Sequence, residues 1–168
     1  MILTQGSELP VTHASVENRL RESLHETAAL AKTREVTWRF HVAPDLEDFR
    51  LLADENWEAS LFTTLFTLVA QSAQSETTAY CQASLMPGRR YTDVGSLLYI
   101  EIFFDSGKLG LTDEARTAFQ ECYEICRVHG GNLMEDSLAP QGTLLTLYLP
   151  RLVPRRTSPL GYKNWRAA

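Results

Sequence analysis

The segment from Tyr99 to Pro150 constrains the fold more than any other part of the chain. Its apolar run Tyr-Ile-Glu-Ile-Phe-Phe delivers Asp105 into a glycine-containing loop, Ser106 to Gly110. A helix-forming stretch follows and stops at Gly130-Gly131, and Gly142-Thr143 opens a last apolar run to Leu149. Glycine suits both breaks because it takes positive φ at little cost, in tight loops and just past helix ends. Two apolar strands separated by one amphipathic helix bury their apolar faces by packing the helix across a sheet.

The first hundred residues supply the remaining parts. Ser15 is the expected N-cap of a helix running to about Arg34, with Val16, Leu20, Leu24, Ala28 and Ala31 as its apolar stripe. Thr37 to Val42 favours a strand closed by Pro44. A second helix is expected from about Asn56 to Ser75, with Leu61, Leu65, Leu68 and Ser72 on one stripe widened by Phe62, Phe66 and Val69. Strands follow at Thr78 to Leu85 and Leu97 to Phe104, around a loop marked by Pro87-Gly88. Thr112 or Asp113 can cap the third helix, which runs to about Val128 and buries Ala115, Phe119, Cys122 and Cys126. Leu133 to Asp136 and Thr143 to Leu149 complete the strands. The order α-β-α-β-β-α-β-β predicts an α/β (α+β) two-layer sandwich, a mixed five-stranded sheet with three helices on one face.

A chain of 168 residues is the length of one domain, and roughly 70% of its unfolded surface can be buried. Residues 1–14 read as irregular, 15–150 as the domain and 151–168 as a basic tail. The domain and its N-terminal lead carry 11 basic and 21 acidic residues, or −10; the tail carries five basic residues and no acid. A basic tail on an acidic body suits an arm for an acidic partner, a segment folded back on its own domain, or a loose terminus. The acidic body argues against direct nucleic-acid binding. No apolar run reaches the roughly 20 residues needed to cross a bilayer, and the start lacks a secretory pattern, so a cytoplasmic protein is expected. Cys81, Cys122 and Cys126 fit a reducing compartment. Cys122 and Cys126 with His129 lack a fourth ligand for zinc, and packing is the expected role of the thiols.

The ordered features resemble the ATP-binding catalytic domain of sensor histidine kinases, in the GHKL (Bergerat) superfamily. That domain's asparagine box, NLLxNAxK, aligns with Thr67-Leu68-Val69-Ala70-Gln71-Ser72-Ala73-Gln74, which puts Gln71 where the magnesium-holding Asn belongs. The first glycine box, DxGxG, resembles Asp105-Ser106-Gly107-Lys108-Leu109-Gly110, with one extra residue before the second glycine. By resemblance, Asp105 accepts from the adenine amino group, and Thr143, after Gly142, also faces adenine. The second glycine box, GxGLGL, cradles phosphates at a helix start in that family. Counted back from Gly130-Gly131, its place is held by Thr117-Ala118-Phe119-Gln120-Glu121-Cys122, without a glycine. The long Phe- and Gly-rich lid between the boxes is also missing.

The resemblance covers about residues 15 to 150 and implies a degenerate nucleotide pocket around Asp105, Gly107, Gly110, Thr143 and Gln71. It implies a non-catalytic signalling module, a pseudokinase, that needs no cofactor. Such a module would engage a protein partner such as a signalling kinase, a response regulator or a transcription component; homodimerisation stays open. The alternative is a divergent but active kinase or ATPase using ATP or ADP with magnesium, in which Lys108 replaces lost contacts to phosphate. Arg155, Arg156, Tyr162 and Trp165 form a candidate docking peptide, since Arg, Tyr and Trp are favoured interface anchors; the alternative is that the tail's aromatics pack back on the body. His25-Glu26 resembles a phosphoacceptor pair, but a strand begins about ten residues later and leaves no room for the hairpin's second helix.

Overall fold

The computed structural model describes residues 15–47, 49, 51, 55–86, 97–107, 110–138 and 142–150. The elements are α1 (Val16–Glu26), α2 (Ala28–Thr33), β1 (Val36–Val42), a 3₁₀ turn (Pro44–Leu46), α3 (Glu55–Ser72), β2 (Thr77–Met86), β3 (Leu97–Asp105), α4 (Asp113–Val128), β4 (Asn132–Leu138) and β5 (Gly142–Pro150). The order and type follow the sequence reading, with one difference: the first helix is interrupted. Thr27 turns its hydroxyl back onto the carbonyls of Ser23 (2.9 Å) and Leu24 (3.2 Å), competing with the helical ladder there. Ser15 is the N-cap, its hydroxyl accepting from the Asn18 N–H at 3.2 Å.

The five strands form one sheet in the order β1-β2-β3-β5-β4. β1 and β2 run parallel, with α3 in the crossover between them, and the other pairings are antiparallel. Alternation decides which side is covered. Ala79, Cys81, Ala83, Leu98, Ile100, Ile102, Phe104, Leu145, Leu147 and Leu149 point into one cluster with Leu20 of α1, Leu61, Phe62, Leu65, Phe66 and Val69 of α3, and Ala115, Cys122 and Cys126 of α4. Phe62, Phe66 and Phe104 are fully buried, and each contributes roughly 1.5–3 kcal/mol by leaving water.

Helix α4 is fixed at both ends as its sequence indicates. The Thr112 hydroxyl accepts from the Ala115 N–H at 3.2 Å. At the other end the Gly130 N–H donates to the Arg127 carbonyl at 3.0 Å and the Gly131 N–H to the Cys126 carbonyl at 2.8 Å. With Gly130 at φ +78, this is a Schellman ending that turns the chain directly into β4.

Candidate functional site

β3 ends and β5 begins at the same end of the sheet, where Asp105 pairs with Gly142. The turn after Asp105 is held three ways. Its carboxylate Oδ1 accepts from the Gly107 N–H at 2.9 Å, and its carbonyl accepts from the Gln74 N–H at 2.8 Å. Ser106 Oγ and Thr143 Oγ1 share a hydrogen bond of 2.6 Å, and both residues are buried. Gly107 sits at φ +66, and a Cβ there would lie 2.4 Å from Gln74 Nε2. The turn is thus tied to the end of α3 on one side and to β5 on the other, with its hydroxyls satisfied internally.

Six residues after Gly107 the chain is already in α4. Gly110 (φ +66) leads through buried Leu111 to the Thr112 cap, whose N–H donates to Ser72 Oγ at 3.3 Å. Asp113 and Glu114 fill the first turn of the helix. There they complement the positive end of its macrodipole, the position an anionic ligand would take. Gln71 Nε2 donates to Glu114 Oε1 at 3.2 Å, so α3 and α4 are bridged across the gap. Thr117 to Cys122 lie inside the continuous α4, where helical hydrogen bonds occupy the backbone N–H groups. They form no loop of free donors.

Between the two helices lies an open cleft of about 690 Å³, lined by Gln71, Ser72, Gln74, Ser106, Gly110 and Arg116 among others. Arg116 also pairs with Glu135 at 3.5 Å, an exposed and therefore weak contact. The expected pocket residues thus gather at one end of the sheet, but unequally. Gln71 and Gly110 line the cleft; Asp105, Gly107 and Thr143 form the buttoned turn beside it. Phe119 does not fill this space: its ring packs near Tyr123, with centroids 6.5 Å apart, and the side chain against the turn is Gln74. Lys108 and the candidate docking residues Arg155, Arg156, Tyr162 and Trp165 lie outside the described residues.

Sequence reasoning passed over Ser106, Gln74, Ser72 and Glu114. Ser106 was the unassigned middle residue of the Asp-x-Gly motif, and Gln74 was the last position of the asparagine-box window. Glu114 had no signal beyond its place in a helix's first turn. His25 is exposed on α1, and the six-residue α2 leads straight to β1. All three cysteines are buried, and burial pushes the thiols up, that of Cys126 to about 12. Among the described residues no group of three or more His, Cys, Asp and Glu side chains is placed to hold a metal ion. Among them, too, no helix is long and apolar enough to cross a membrane.

No protein-family model and no curated protein sequence matches the chain. Solved structures do. A histidine kinase from Burkholderia phymatum superposes with a TM-score of 0.65 at 15% identity, over 82% of this chain and 69% of that one. The nucleotide-free catalytic domain of histidine kinase ThkA superposes at 0.63 and 12% identity, over 82% of this chain and 94% of its own. The Acinetobacter baumannii histidine kinase AdeS gives 0.60 at 6% identity; the chain spans 65% of its length. The chain therefore has the fold of histidine-kinase catalytic domains.

Proposed function

We propose that this chain is a non-catalytic signalling module that uses a histidine-kinase-type fold to bind a protein. The observation that carries the reading is the chemistry at the α4 end of the cleft. α4 starts at Asp113, three residues after Gly110, and Gln71, at the position of the metal-holding Asn, donates its amide to Glu114. A triphosphate in that gap would meet two carboxylates at the helix start and would find the Ala115 N–H already taken by Thr112. The fitting partner is another signalling component: a kinase, a response regulator or a transcription factor. It would dock over the region around Gly110 to Asp113 that a lid covers in the kinases, with Arg155, Arg156, Tyr162 and Trp165 as further anchors. No cofactor is required for this role.

One observation favours the second reading, a divergent ATP-binding kinase or ATPase. Arg116 lines the cleft and could supply positive charge to a phosphate, beside an Asp105–Gly107 turn that keeps the form of a purine site. Calorimetric titration with ATP and ADP, with and without magnesium, separates the two. The module reading expects no binding in the micromolar to millimolar range typical of enzyme substrates. Magnesium-dependent binding in that range, abolished by Asp105→Asn in a variant that still folds, would establish the enzyme reading instead.

A further inference from the structure

The side of the sheet turned away from the helices holds most of the exposed large hydrophobic side chains among the described residues. Among the described residues the exposed large hydrophobic side chains are Tyr80, Met86, Phe103, Val128, Met134 and Leu138. All but Val128 sit on this face, as the strand alternation and register place them: Tyr80 beside Phe103, Gln82 beside Glu101, and Met134 one strand beyond on Thr146. No helix of the described residues packs there, since the buried residues of α1, α3 and α4 join the cluster on the other side. Exposed apolar side chains gathered on one uncovered sheet face, with Gln82, Glu101 and Thr146 crossing between them, mark a contact surface.

We propose that residues 151–168 of the same chain cover the β3–β5–β4 half of this face in the free protein. The exit point favours them. Pro150 is the last residue of β5 and pairs with Leu97, which pairs with Met86, so the chain leaves the sheet at the rim of the apolar face. From that rim to the Tyr80–Phe103 row is about 20 Å along the strands, at roughly 3.3 Å per residue. Eighteen residues reach about 60 Å when extended. Composition agrees. The segment brings Leu152, Val153, Leu160, Tyr162 and Trp165 among five basic residues and no acid. The target half carries Glu101 and Asp136 beside Phe103 and Met134, whereas Arg39 and His41 lie at the β1 side. A second copy is the poorer occupant, because two chains of net charge −5 repel on approach, whereas the tail itself is basic. The inference does not depend on the state of the nucleotide cleft, which lies at the opposite end of the strands. It gives the protein a self-covered surface that a partner would expose by displacing the tail.

The test uses the full chain carrying Ala167→Cys with a nitroxide attached; the three native cysteines are buried, so labelling is directed to position 167. Met86 and Met134 provide resolvable methyl signals, as the chain has only three methionines. The expected result is loss of more than half of the Met134 methyl intensity in dilute solution, restored when Tyr162→Ala and Trp165→Ala are added. Circular dichroism of each variant is compared with the parent to verify that the body formed by the described strands and helices still folds. Full intensity at both methionines would overturn the proposal. So would a loss that arises only when spin-labelled protein is mixed with unlabelled, methyl-labelled protein, which would make a second copy the occupant.

Discussion

The two ends of the cleft differ in what their residues do. At the Asp105–Thr143 end, the residues that match the kinase pattern are mostly buried and bonded to one another: Asp105 to Gly107, Ser106 to Thr143, with Gln74 laid against the turn. At the Gln71–α4 end, half-buried Gln71 donates to exposed Glu114, and the Thr112 N–H on Ser72 Oγ is a second bridge between the helices. The first end keeps a motif because the motif also builds the fold. At the second, Asp113 and Glu114 occupy the helix start and Glu114 accepts from Gln71. Matching residues at a strand end therefore say less about ligand than the donors beyond them.

Stability measurements sharpen this contrast, beginning with a control distant from both ends. Glu58 in α3 is buried, and burial pushes its carboxyl from 4.5 up to about 7, partly opposed by Arg19. A folded-state value above the unfolded one means its contribution is complete below about pH 4.5 and is lost as pH rises through 7. The expected fall is about 2–3 kcal/mol. Glu58→Gln should flatten denaturant midpoints measured between pH 4.5 and 8. An unchanged slope would place the titrating group elsewhere.

At the buttoned end, Gly107→Ala should cost ~1–2 kcal/mol, chiefly for holding a Cβ residue at φ +66 while the flexible Gln74 side chain moves aside. Thr143→Val keeps the shape but leaves the buried Ser106 hydroxyl without its partner, at about 1 kcal/mol. Both are read from urea unfolding at fixed pH. At the other end, Gln71→Ala removes an exposed contact and should shift stability by less than ~0.5 kcal/mol. Equal losses at the two ends would erase the distinction between a structural motif and a replaced one.

Much of this was legible in the sequence. Apolar periodicity and the caps at Ser15, Thr112 and Gly130-Gly131 place the elements within one to three residues, because local hydrogen bonding and burial decide those boundaries. The break at Thr27 was not legible: its stripe runs on through Ala28 and Ala31, and only the hydroxyl's choice of the Ser23 and Leu24 carbonyls interrupts the helix. The site was half legible. Asp105, Gly107 and Gln71 are found by motif spacing, but Gln74 beside Asp105 and Gly107, Thr143 beside Ser106, and Glu114 beside Gln71 come from separate segments brought together only by the fold. Periodicity carries no information about such pairings.

The most direct test compares adenosine with ATP by calorimetry, each titrated into the full chain with and without magnesium. A site lacking donors for the anionic groups should bind ATP no more tightly than adenosine, and the metal should change neither affinity. ATP binding at least tenfold tighter than adenosine, strengthened by magnesium and weakened by Gln71→Ala, would contradict the account.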